Sequence, residues 1–159
     1  MKSTNVYQRL EELGYSLPPL PPKGGVYKPV KQVGNLLYVS GQGATLGGVP
    51  HITGKLGAGC TVEQGQEAAR LCALNALSTL HAFLQDLNRI KGVVKILGFV
   101  ASAEGFCQQP KVMDGCSVLL QELFGEEGVA SRSAIGVNEL PGGIACEVEF
   151  LFELKTENA

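Results

Sequence analysis

Residues 131–154 read SRSAIGVNELPGGIACEVEFLFEL, and this stretch decides the fold class. Two runs, SRSAIGV and IACEVEFLFEL, flank NELPGG, whose proline and paired glycines interrupt any strand. In the second run Ile144, Cys146, Val148, Phe150, Phe152 and Leu154 alternate with Ala145, Glu147, Glu149, Leu151 and Glu153. A period of two puts the first set on the core face of a sheet and the carboxylates on the other. If Val137 pairs with Ile144 across the loop, antiparallel counting brings Arg132 opposite Glu149, away from the core. A one-residue slip would undo that register.

The preceding segments supply the layers this sheet needs. Residues 110–124 form a helical stretch, with Pro110 in its first turn and Gly125 as its stop. Before it, KGVVKILGFVAS (residues 91–102) reads as a buried strand. Thr61-Val62-Glu63-Gln64 is a capping box, and Ala69, Cys72, Ala73, Ala76, Leu77, Leu80, Phe83, Leu84 and Leu87 form one stripe along a helix from 61 to about 87. The small residues of that stripe imply close packing on a sheet. YKPVKQV and LLYVS flank the hairpin dipeptide Gly34-Asn35, and Pro29 places the first strand at an edge or at its own start. The segment 41–59 is glycine-rich and irregular, the length of a functional loop. The order is therefore β-β-α-β-α-β-β: an α+β fold with its helices on one face of the sheet.

At the N-terminus Val6, Leu10 and Leu13 fall at helical spacing before Gly14, and SLPPLPPKGG follows as an extended arm. The expected organisation is a helix and proline-rich arm over 1–22 and a single domain over 23–159. The arm's task stays open among packing on its own domain, covering a neighbour's cleft and fraying.

Composition excludes several functions. The chain has 159 residues, a net charge of -2 and a pI of about 5.7. No global positive field attracts phosphate backbones, so no nucleic acid is expected as a partner. Five cysteines without a C-x-x-C argue for a reducing compartment and against a disulfide framework or a zinc site. The polar start is no signal peptide, and no apolar run approaches the ~18 to 20 residues of a membrane span. These features lead to a cytoplasmic protein without membrane contact. His51 reads as a solvent-facing loop residue and His81 as a helix boundary residue. Neither has companions at metal-ligand spacing, so no metal is expected. Cys107, near a helix start without basic neighbours in sequence, reads as structural.

The Arg132–Glu149 pair has two readings. One is a cross-strand ion pair worth under about 1 kcal/mol if exposed. The other is a carboxylate-binding site, because a guanidinium fork matches a carboxylate in two parallel hydrogen bonds. A neighbouring glutamate can orient the arginine or deprotonate a water. Glu147 shares the face of Glu149, so a carboxylate pair is also conceivable.

Three motifs together bear on the choice. GNLLYV followed by SGQ (Ser40 to Gln42), SRSA (Ser131 to Ala134), and LP followed by IACEVEF resemble the Rid family of YjgF-like, L-PSP-endoribonuclease-like proteins. The resemblance runs collinearly over residues 26–154, and the N-terminal helix and arm mark a longer-chain branch. It implies a chorismate-mutase-like mixed sheet, a homotrimer with clefts between subunits, and no cofactor or metal. It further implies hydrolysis of reactive enamines and imines of the 2-aminoacrylate class to keto acids and ammonia. Carried over by position, Arg132 grips the substrate carboxylate, Glu149 positions water, and Tyr27 and Gly41 line the cleft. Ala134 stands where the family often has cysteine; alanine can serve where that residue acts through its main chain, but any thiol role is lost. Ser117 or Asp114 stands in for the family's helix asparagine. The alternatives are a non-catalytic binder or sensor of small carboxylates and, from the older family name, a ribonuclease, against which the acidic pI weighs.

Overall fold

The computed structural model describes residues 5–156; residues 1–4 of the expected N-terminal segment and 157–159 of the expected domain lie outside it. Helix α1 (Val6–Glu12) is followed by strands β1 (Val30–Val33) and β2 (Leu36–Gly43). Four two-residue strands then occupy the glycine-rich loop: β3 (Thr45–Leu46), β4 (Val49–Pro50), β5 (Lys55–Leu56) and β6 (Gly59–Cys60). Helix α2 (Val62–Leu84), β7 (Ile90–Ala101), α3 (Gln109–Phe124), β8 (Ser131–Val137) and β9 (Cys146–Leu154) complete the chain.

The main sheet is mixed, with strand order β1-β2-β9-β7-β8. Strands β1, β2, β9 and β7 pair antiparallel, while β8 joins β7 in parallel. This is the expected α+β order, with α2 lying across β2 and β9 and α3 against β7 and β8. The alternation of the last strand holds: Cys146, Val148, Phe150, Phe152 and Leu154 are all buried. Pro29 immediately precedes edge strand β1, where a missing N–H breaks no ladder. At the β1–β2 turn Gly34 has φ +60° and Asn35 does not share that sign, the type II′ pattern.

One expectation fails. Strands β8 and β9 do not form a hairpin, because β7 lies between them. A strand–helix–strand unit closes in parallel, so α3 returns β8 alongside β7. Residues 138–145 then carry the chain back across β7 to insert β9 beside β2. Eight residues reach roughly 26 Å, ample for the roughly 10 Å of two strand spacings.

Helix α2 has its expected capping box: Thr61 accepts from the Gln64 N–H while Gln64 accepts from the Thr61 N–H. It stops at Leu84, short of the expected 87, because Gln85 turns into the left-handed region at φ 65°. Its buried polar residues act as fasteners. Ser78 donates to the Pro18 carbonyl at 2.8 Å, holding the arm. Asn75 donates to the Gly43 and Thr45 carbonyls at 3.0 and 2.8 Å, holding the loop.

Helix α1 joins the same core through Val6 and Leu10. The Tyr7 hydroxyl accepts from the Leu87 N–H and shares a 2.8 Å hydrogen bond with His81 Nδ1, so His81 fastens the N-terminal helix. Four cysteines (Cys60, Cys72, Cys116, Cys146) are buried and Cys107 is exposed; none of the five is in a disulfide. Burial pushes the Cys72, Cys116 and Cys146 thiols well up, so they pack as small hydrophobes. No helix among the described residues is long and apolar enough to cross a membrane.

Candidate functional site

The chemistry-bearing residues fall into separate cavities. The first, about 500 Å³, is lined by Tyr27, Gly41, Gln42, Thr79 and Glu147, with Pro22 and Lys23 of the arm at its rim. It exists because β2 bulges. Val39 pairs with Phe150 and Gln42 with Val148, which leaves two residues, Ser40 and Gly41, against the single Glu149 of β9. The bulge is tied down by the Ser40 hydroxyl and N–H, which donate to the carbonyls of Lys28 and Pro29 at 2.8 and 3.0 Å. The Glu147 carboxylate lies directly over Gly41. A Cβ there would collide with Glu147 Oε1, so only glycine admits this close approach.

Gln42 lines the same cavity and is only 7 % exposed. It donates to the Ser40 carbonyl at 3.0 Å and accepts from the Thr79 hydroxyl at 3.3 Å. Both ends of its amide are thereby fixed. Burial, and secondly the negative charge of Glu149, push the Glu147 carboxyl above its ordinary value. Tyr27 is half exposed, and its hydroxyl accepts from the Gly24 N–H at 3.2 Å. The Lys23 ammonium lies 6.0 Å from its ring centroid.

The second cavity, about 390 Å³, lies between α3 and β8 and is lined by Arg132, Asp114, Ser117, Val118, Gln121 and Val129. Arg132 is in register with core-facing Ile96, which turns it toward the helix layer. There one nitrogen, Nη1, donates to Asp114 Oδ1 at 2.9 Å and to Ser117 Oγ at 3.0 Å. Ala134, two residues on, is in register with Gly98 on the same side. Both residues named for the helix contact, Ser117 and Asp114, therefore meet the arginine.

Arg132 and Glu149 are not brought together, which corrects the cross-strand expectation. Glu149 is in register with Leu97, one residue on from Ile96, and so faces the opposite side of the sheet. It lines a third cavity of about 550 Å³ with Lys28, Lys31, Tyr38 and Lys95. The carboxylate that meets Tyr27 and Gly41 is Glu147. Alternation had already placed it on the face of Glu149, but the bulge that brings it to Gly41 has no sequence signature beyond the glycine of SGQ. Gln42 and Thr79 were not singled out. His51 is exposed, as is Cys107. Among the described residues no group of three His, Cys, Asp or Glu side chains could hold a metal ion.

Comparison with known proteins adds an independent line. Residues 7–154 match the model of the family described as "YjgF/chorismate_mutase-like, putative endoribonuclease". The chain is 44% identical over 155 residues to Protein TCP17 of Trypanosoma cruzi, covering 96% of each. The crystal structure of Atu1372, a protein of unknown function from Agrobacterium tumefaciens, superposes with a TM-score of 0.87 at 39% identity over 96% of each chain. A "putative endoribonuclease" from Shewanella oneidensis superposes with a TM-score of 0.90 at 36% identity, over 94% of this chain and 99% of that one.

Proposed function

The chain belongs to the YjgF/chorismate_mutase-like family, and from that premise we propose that it binds small carboxylate-bearing metabolites and hydrolyses reactive imines between copies of itself. One observation carries this reading: Arg132 and Glu147 line cavities with no residue in common, on opposite faces of one sheet. One half holds an anion anchor and the other a partly desolvated carboxylate. A ring of three copies, each presenting a different surface to each neighbour, can join the halves.

In the joined cleft the Arg132 fork takes the ligand carboxylate. A 2-aminoacrylate-class enamine tautomerises to its imine, whose carbon accepts a water oxygen. Glu147 removes the water proton as the C–O bond forms and returns a proton to nitrogen as the C–N bond breaks. The products are a keto acid and ammonia, with no oxidant or cofactor required. The raised Glu147 carboxyl suits a group that must both take and give a proton. Glu147 thus takes the water-handling role expected of Glu149. The reading places the protein in the reducing cytoplasm, where its free thiols remain reduced.

A second reading, a carboxylate-binding sensor without turnover, draws on the Asp114 carboxylate that already occupies one edge of the arginine. To separate them, 2-aminoacrylate is generated in situ and pyruvate release followed for wild type, Arg132→Ala and Glu147→Gln. Acceleration by wild type and its loss in both variants supports the enzyme. Equal rates with and without wild type, alongside arginine-dependent keto-acid binding, leave the sensor. RNA cleavage that survives Arg132→Ala would belong to neither.

A further inference from the structure

The partner of Arg132 carries information about the ligand. Asp114 is an exposed aspartate on α3, and its side chain keeps 53% of its accessible surface although it is bonded to a guanidinium. Only one nitrogen of Arg132 and one oxygen of Asp114 are used in that contact. Arg132 Nε and Nη2, and Asp114 Oδ2, have no hydrogen-bond partner among the described residues. The cavity thus presents a free cationic edge beside a free anionic oxygen, with Val118 and Val129 as an apolar wall.

A simple monocarboxylate satisfies only half of this arrangement, because its charge also meets the negative Asp114. A ligand with a cation on the carbon next to its carboxylate satisfies both halves. Its carboxylate meets the open arginine edge while its ammonium or iminium meets Asp114 Oδ2. The four charges then alternate in sign, which places every neighbour in attraction.

We propose that Asp114 makes this half of the site selective for ligands bearing a cation α to a carboxylate: α-amino acids and protonated α-imino acids. The proposal rests on the reading of Arg132 as carboxylate anchor. It adds that Asp114 touches the ligand rather than merely holding the arginine. For the hydrolytic reaction it favours the protonated imine, the more electrophilic form, over the keto-acid product, which carries no such cation and is released more readily.

L-Alanine and L-lactate provide the test, since they differ in ammonium against hydroxyl at similar size. Both are titrated calorimetrically into the full-length assembled protein at low salt and pH 7. Wild type is expected to bind alanine about tenfold more tightly than lactate. Asp114→Asn is expected to bring that ratio to about one while lactate binding is kept or improved. Circular dichroism verifies that the variant is folded. An unchanged ratio in folded Asp114→Asn overturns the inference. So does equal weakening of both ligands, the signature of a residue that only positions Arg132. Failure of wild type to bind either ligand would sink the carboxylate-anchor reading itself, and Arg132→Ala binding both as wild type does would sink it equally.

Discussion

Around Glu147 the chain gathers features that strip water from a carboxylate: a bulge, a glycine, a fixed glutamine and a rim of arm residues. Around Arg132 it gathers polar side chains of α3, Asp114 and Ser117, which both meet one nitrogen of the guanidinium. The first environment raises a proton affinity; the second leaves Arg132 Nε and Nη2 without a hydrogen-bond partner among the described residues. The difference teaches that two half-buried groups can be held in different ways: Glu147 sits where burial raises its proton affinity, and Arg132 where side chains of one helix hold a single nitrogen.

Substitutions in each half break the comparison in distinguishable ways. The largest effect is expected for Arg132→Ala, which removes the anchor and lowers kcat/KM for imine hydrolysis by about a thousandfold. Lysine in its place recovers little, since it cannot bind in two parallel contacts. Glu147→Gln is expected to lower kcat by about a hundredfold while binding of a keto acid changes little. Steady-state kinetics and calorimetry together separate those outcomes. Gly41→Ala forces the carboxylate off its position and is expected to cost about tenfold in kcat with the fold intact.

The smallest effect is on stability, and its sign follows from the raised Glu147 carboxyl. A folded-state value above the unfolded one means that the native protein holds this proton more tightly. Stability from this group is therefore full below the ordinary carboxylate range and is lost as pH rises through the raised value. Glu147→Gln abolishes that dependence. Its melting temperature is expected to exceed that of wild type at pH 8 by on the order of a degree or two, with the gap closing toward pH 4. A gap that widens on acidification would contradict the burial argument.

The sequence carries more of the sheet's faces than of its neighbours. Alternation from Cys146 to Leu154 identified the core side of β9 because side-chain period is a local property of the chain. The partners of β9 are set by the crossover through α3, a long-range matter on which the NELPGG loop is silent. Arg132 could be singled out from its residue type and motif, and it meets both residues named on α3, Asp114 and Ser117. The carboxylate was harder to identify. Glu147 and Glu149 share a face and a residue type, and only the β2 bulge decides which of them meets Gly41. Arm packing through Val6, Leu10 and the Ser78–Pro18 bond likewise depends on tertiary contacts.

The central claim is that Arg132 of one copy and Glu147 of another act on the same ligand. Mixing Arg132→Ala and Glu147→Gln chains tests it, after unfolding and refolding them together at equal amounts. In a ring of three, about one cleft in four then combines an intact arginine with an intact glutamate. Imine hydrolysis is expected to return to about that fraction of the wild-type rate in the co-refolded sample, and not in a mixture of separately folded variants. Co-refolded oligomers of verified mixed composition that stay as inactive as their parents would contradict the shared site.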